Sequence, residues 1–192
     1  MLNEKTPRGD YGYLAARKKS RLLYAGIFLV VFLIFYLAGL LIYHTNMNLL
    51  TIPAMVTVIP IANYLAAFFA ISRFKEGTKE QYDSLADWQN RGMLLSDLVI
   101  VDEKGARFLL EFAVVYKNGI VAYCSHEAYK DYQVEVPVND VMKRRGIPMR
   151  LKSYRDWNSF RERLAAIPRE EAADSEEQRI DRARQALLSL CL

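Results

Sequence analysis

Two cysteines, Cys124 and Cys191, and two histidines, His44 and His126, are all the thiols and imidazoles in 192 residues, and their scatter fits no zinc-ligand spacing. Phosphate loops are missing as well. Neither G-x-x-x-x-G-K-[S/T] nor G-x-G-x-x-G occurs, and Gly77-Thr78-Lys79 is a lone glycine in a polar linker. No metal-binding, cofactor-binding or catalytic residue is expected, and no cofactor. Cys124-Ser125-His126 does bring a thiol close to an imidazole, the raw material of nucleophilic catalysis. On an extended strand, however, such neighbours diverge from hydrogen-bond distance, so a strand-ending core cysteine beside a surface histidine is the expectation.

Charge is missing where it matters most. Residues 22–43 and 49–72 contain no Asp, Glu, Lys or Arg. At 1.5 Å rise per residue, roughly 20 residues cross the ~30 Å hydrocarbon core of a bilayer, so each run is long enough to span. A cleaved signal peptide has a shorter apolar core of about 7–15 residues, so both segments are expected to be retained. The 52% hydrophobic composition hides this split, because the rest of the chain has an ordinary soluble composition.

The flanks orient the hairpin. Arg8, Arg17, Lys18, Lys19 and Arg21 precede the first run, Arg73, Lys75 and Lys79 follow the second, and the connector 44–48 has no fixed positive charge. Lys and Arg near span ends stay on the cytoplasmic side, which predicts two spans with both termini cytoplasmic. Tyr24 and Tyr43 suit the aromatic belts at the two interfaces. The short loops and the lack of a eukaryotic targeting signal point to a bacterial inner membrane. Cys124 is then in a reducing compartment, and no structural disulfide is expected.

Within the spans, Gly26, Gly39, Ala62, Asn63, Ala66 and Ala70 are the candidate helix-packing residues. Small residues four apart let backbones approach, and Asn63 can hydrogen-bond across an interface with the first span or with another copy of the chain. Pro60 removes an amide donor and is expected to bend the second span.

Beyond residue 72 the pattern predicts one α+β domain over 73–167, with a mostly antiparallel sheet flanked by helices. Tyr82, Leu85 and Trp88 mark a helix over 76–91. Strand-like runs follow at 94–101, 107–116 and 119–124, and the Asn118-Gly119 step signals a type I′ hairpin, whose central residues both need positive φ. A helix over 139–145, a strand over 149–154 and a helix over 157–167 capped by Asp156 complete the domain. Residues 168–192 read as a charged linker and an amphipathic helix, with Ser175 and Gln178 in capping-box positions and Ile180, Ala183, Leu187, Leu190 and Cys191 on one stripe. The basic segment 1–21 stands apart at the other end.

The element order over 94–164, with Asp97 on one strand and Glu111-Phe112-Ala113 on the next, resembles the core of the PD-(D/E)xK nuclease superfamily. The resemblance implies an acidic pair able to hold a divalent metal. Ala113 stands where the family has its lysine, which implies an inactive or repurposed scaffold.

The net charge of +4 lies largely beside the first span, where it serves orientation and attraction to anionic lipid rather than nucleic acid. A second basic cluster, Lys143, Arg144 and Arg145 with Arg150 and Lys152, is the candidate contact for lipid or for a protein partner. Its plainer reading is a solvated helix end whose cations complement the macrodipole. The whole chain reads as a small integral membrane protein that acts by binding, as an accessory or scaffold subunit. A membrane-tethered enzyme with a degenerate nuclease-like domain and a homo-oligomeric pore or transporter subunit are the competing readings.

Overall fold

The computed structural model describes residues 6–45, 49–90, 93–102, 105–126, 131–168 and 174–191, with the side chains of 90, 131 and 174–176 excepted. The chain forms two compact units, and the first is inserted into the second: Leu14–Lys75 form one, while Thr6–Tyr13 and Glu76–Leu192 belong to the other. Residues 6–13 therefore join the α+β unit, although the sequence reading assigned them to a separate basic segment.

The first unit is an antiparallel helical hairpin of α1 (Tyr13–Tyr43) and α2 (Thr51–Ser72). Tyr64 of α2 stacks on Tyr24 of α1 at 5.4 Å between ring centroids and on Phe28 at 5.8 Å, and the Arg21 guanidinium lies 5.7 Å from the same ring. Lys18 Nζ donates to the Phe74 carbonyl at 2.7 Å. The covered side of α1 runs through Arg21, Ala25, Phe28, Phe32, Phe35 and Gly39, and that of α2 through Ala54, Thr57, Ile61, Tyr64, Phe68 and Ile71. Both series step alternately by four and three, the heptad spacing of a two-helix seam. The rest of the surface is apolar and open: Ile34, Leu41, Ile42, Ile52, Met55 and Ile59 are 60–72% exposed.

In the second unit, the expected helix over 76–91 is two short ones, α3 (Lys79–Asp83) and α4 (Ala86–Asn90). Thr78 and Gln81 close a capping box at the start of α3: Gln81 N donates to Thr78 Oγ1 and Thr78 N to Gln81 Oε1. Next come β1 (Leu94–Val101), β2 (Arg107–Tyr116), β3 (Gly119–Tyr123), α5 (Asp131–Arg144), β4 (Leu151–Tyr154), α6 (Trp157–Ala165) and α7 (Asp174–Ser189). The sheet order is β1-β2-β3-β4; the first three strands form an antiparallel meander and β4 runs parallel to β3 after the α5 crossover. The fold is thus α+β around a four-stranded mixed sheet.

Helices cover both faces. Val134, Val138 and Met142 of α5 and Ile180, Ala183, Ala186 and Leu187 of α7 pack on one, and Phe160 and Leu164 of α6 with Leu85 pack on the other. Asp156 caps α6 by accepting from Ser159 N at 2.8 Å, as its position before Trp157 predicts. Helix α5 begins eight residues earlier than expected, running through Pro137; its β-branched run 134–138 hides it, since Val disfavours helices intrinsically. Strand β4 begins at Leu151 rather than Met149. Residues 169–173, read as a connector, and the Ser175 side chain, read as a cap, lie outside the described residues.

The meander hairpin forms by another turn than the sequence suggests. Tyr116 pairs with Gly119, so Lys117 and Asn118 are the central residues. Neither has positive φ, which among described non-glycine residues is found at His44 and Asp97. Gly119 serves a close approach instead: a Cβ there would lie 3.0 Å from the Arg150 carbonyl, which accepts from Ile120 N across the β3–β4 pairing.

Alternation inverts once along the sheet. Leu95, Leu98 and Ile100 all belong to the core layer on the α5–α7 face, as do Leu110, Ala113 and Val115 on β2. Strict period-two alternation would put Leu95 opposite Leu98 and Leu110 opposite Ala113. The inversion occurs at Asp97, which has φ +55°, and at Glu111, which lies across from it between the pairs Ser96–Phe112 and Leu98–Leu110.

Candidate functional site

The acidic residues singled out in the sequence lie across from each other between the β1–β2 pairs, and each carboxylate accepts hydrogen bonds within the fold. Both residues are buried, at 2% and 5% exposure. Asp97 Oδ2 accepts from Gly12 N at 2.8 Å, so it clips the N-terminal segment to the edge of β1, where Ser96 N also donates to the Gly9 carbonyl at 2.7 Å. Glu111 accepts from Ser125 through both oxygens, from the backbone N at 2.9 Å and from the hydroxyl. Burial pushes the Glu111 carboxyl above the ordinary glutamate value, and the two bonds from Ser125 oppose that shift. Among the described residues no three His, Cys, Asp or Glu side chains come together as metal ligands. Ala113, at the position where the resembled family has its lysine, is buried.

Cys124 is in the core layer against α5 and α7, one residue past the end of β3. Cys191, at the opposite edge, donates from its Sγ to the Leu187 carbonyl, and burial pushes its thiol up to about 12. Among the described residues neither is in a disulfide.

Around Asp97 the other sheet face carries an aromatic stack. Tyr11 stacks on Tyr82 at 4.6 Å, and Phe112 lies 6.4 Å from both Tyr82 and Tyr123. Gly77 closes over Phe112, where a Cβ would come within 2.4 Å of the ring, and its carbonyl accepts from the Tyr11 hydroxyl. Burial raises the phenols of Tyr11, Tyr82 and Tyr123, keeping them neutral donors.

The basic cluster frames an open groove. The groove, of about 600 Å³, lies between the C-terminal turn of α5 and the chain entering β4, lined by Asn139, Asp140, Lys143, Ile147, Pro148 and Arg150. Lys143 and Arg150 both line it, and Arg144 and Arg145 are exposed at the end of α5. Lys152 is 65% exposed and sits 3.6 Å from Glu135. The groove wall is held from α5: Asn139 Nδ2 donates to the Leu151 carbonyl at 3.2 Å and its Oδ1 accepts from Leu151 N at 2.6 Å, while Glu135 Oε1 accepts from Ser153 N at 2.9 Å. Asn139 and Glu135 escaped the sequence reading. Their i, i+4 spacing on α5 was the available signal, but only the parallel placement of β4 gives it meaning.

The helix-packing candidates divide. Gly39 is buried on the hairpin seam, whereas Gly26, Ala62, Asn63 and Ala66 are exposed on its outside and Ala70 is half-buried. A Cβ at Gly26 would meet nothing within 4 Å. The seam uses Ala25 and Ala54 for its close contacts instead.

No family model matches the chain, and neither a curated protein nor a solved structure matches it.

Proposed function

We propose that the chain is a membrane-anchored binding protein: the hairpin crosses a bilayer twice, with both ends cytoplasmic in a bacterial inner membrane, and the α+β unit works through partner contacts as an accessory or scaffold subunit. The observation that carries this reading is the surface of the hairpin. In the most apolar window of each helix only 11% of residues are buried, so the apolar side chains point outward nearly all round. A core helix of a soluble domain buries such residues, whereas hydrocarbon satisfies them without a protein partner.

The threading of the chain supports the topology independently of charge. Residues on both sides of the hairpin, 6–13 and 76–192, belong to one compact unit. Both hairpin ends then lie on one side of any bilayer it crosses. Tethering holds the domain at high effective concentration for a partner at the same surface.

Membranes containing the full chain, washed at alkaline pH and then solubilised in mild detergent, test the reading. The chain is expected to resist the wash and to elute with a stoichiometric partner. Release by the wash sinks the anchor; a lone monodisperse species sinks the accessory-subunit role. The outward placement of Ala62, Asn63 and Ala66 favours a second reading, self-association through α2. Ala66→Leu and Asn63→Leu then shift the assembly state in detergent, and an unchanged state removes it.

A further inference from the structure

Outside the hairpin, the described chain leaves two large apolar side chains well exposed, Tyr132 at 59% and Val136 at 51%. Both are on α5, on the side that continues at helical spacing through Asp140 to Lys143 and the groove. A helix face that exposes an aromatic and a valine, and ends in Lys143, Arg144 and Arg145 with Arg150 adjoining, has the composition of a surface that rests on a charged bilayer. The apolar pair reaches the headgroup boundary while the cations meet phosphates.

The geometry points to the α5–β4 groove as a docking surface for anionic lipid headgroups, with Lys143 and Arg150 clasping a lipid phosphate. This inference rests on the membrane-anchored reading above. Charge complementarity supplies the first argument: the local cations are Lys143, Arg144, Arg145 and Arg150, Asp140 is the acidic residue in the groove wall, and Glu135 is already occupied with Lys152 and Ser153. Chain length supplies the second. Between the end of α2 and the start of α3 lies only the stretch 73–78, a reach of at most about 20 Å when fully extended, and the N-terminal segment is a second tether into the same unit. A domain held so closely meets headgroups at a concentration that a free ligand does not reach. The pocket wall is also fixed in advance, since Asn139 pins Leu151 and Met149 is buried beneath the rim.

The experiment uses the full chain in lipid nanodiscs with a fluorophore on Pro148→Cys, an exposed groove position; Cys124 is buried and the half-buried Cys191 has its thiol pushed up to about 12, which keeps the label specific. A nitroxide on the lipid headgroup reports proximity. Quenching is expected in discs rich in phosphatidylglycerol and not in phosphatidylcholine discs, and it should fade as salt shortens the screening length. Lys143→Gln and Arg150→Gln should each weaken docking roughly fivefold. Quenching that is equal in the two lipids, or that survives the double variant, overturns the proposal. A probe that stays bright in anionic discs also overturns it and leaves the patch to an acidic polypeptide. In all these outcomes the chain co-elutes with the disc; elution apart from it overturns the anchored reading, and this inference with it.

Discussion

Asn139 binds both backbone groups of Leu151, accepting from its N–H at 2.6 Å and donating to its carbonyl at 3.2 Å. The carboxamide thereby acts as one residue of a missing fifth strand. One helical turn earlier, Glu135 accepts from Ser153 N and from its hydroxyl. At the opposite edge, Gly9 and Leu190 accept from Ser96 N and Val101 N of β1. Both edges of the sheet are covered, which removes the template for edge-to-edge aggregation.

Replacing Asn139 by Ala therefore leaves two backbone groups of the edge strand without their partner. The expected loss is about 1–3 kcal/mol, read as a lowered midpoint in chemical unfolding of the detergent-solubilised chain. Leu likewise fails to restore it, because shape without polarity cannot replace both bonds. An unfolding midpoint unchanged in both variants would show that water satisfies Leu151 equally well.

Three glycines separate close approach from empty space. At Gly77 an added Cβ would collide with the Phe112 ring at 2.4 Å, and at Gly119 it would press on the Arg150 carbonyl at 3.0 Å, while Gly26 has nothing within 4 Å. Gly77→Ala and Gly119→Ala are expected to destabilise by about 1–3 kcal/mol through forced shifts. Gly26→Ala, in the middle of α1, should be neutral or stabilising by up to about 1 kcal/mol. Thermal unfolding of the three variants side by side checks the order, and equal effects at Gly77 and Gly26 would refute it.

The meander was legible because β-rich runs and turn residues bound it on each side, and Asp156 before Trp157 marked α6 as a cap does. What stayed hidden depended on distant partners. Asp97 inverts the side-chain alternation through one backbone angle, and a run apolar on both faces, Leu94 to Val101, carries no trace of such an inversion. Residues 6–13 have no periodicity to announce that they join the sheet edge; Gly9 is needed there because a Cβ would press on Leu95 and Leu188, residues far away in sequence. The direction of β4 was set by the α5 crossover, half of which Pro137 and its valines disguised. Asp97 and Glu111 were legible as acidic residues on neighbouring strands, but their hydrogen bonds to Gly12 and Ser125 were not, because no spacing rule relates those residues to them.

Glu111 makes the stability of the fold depend on pH in a direction opposite to most carboxylates. Burial raises its native pKa above the ordinary 4.5, with Ser125 only partly opposing the shift. The native state therefore holds its proton more tightly than the unfolded chain does. The stabilisation is fully present below the unfolded pKa and is lost as pH rises through the native one. Glu111→Gln retains a carbonyl oxygen for Ser125 N and has no proton to lose. Its unfolding free energy should stay flat over the window in which the parent declines, with the variant at least as stable as the parent at neutral pH. Ser125→Ala removes the hydroxyl bond and leaves the one from the backbone N–H, so one of the two bonds that favour the charged form is lost and the parent's decline should deepen and extend to higher pH. Chemical unfolding of the three proteins at a series of pH values from about 4 to 8 measures this directly; parallel curves for parent and Glu111→Gln would mean that the buried carboxylate is as well solvated by Ser125 as by water.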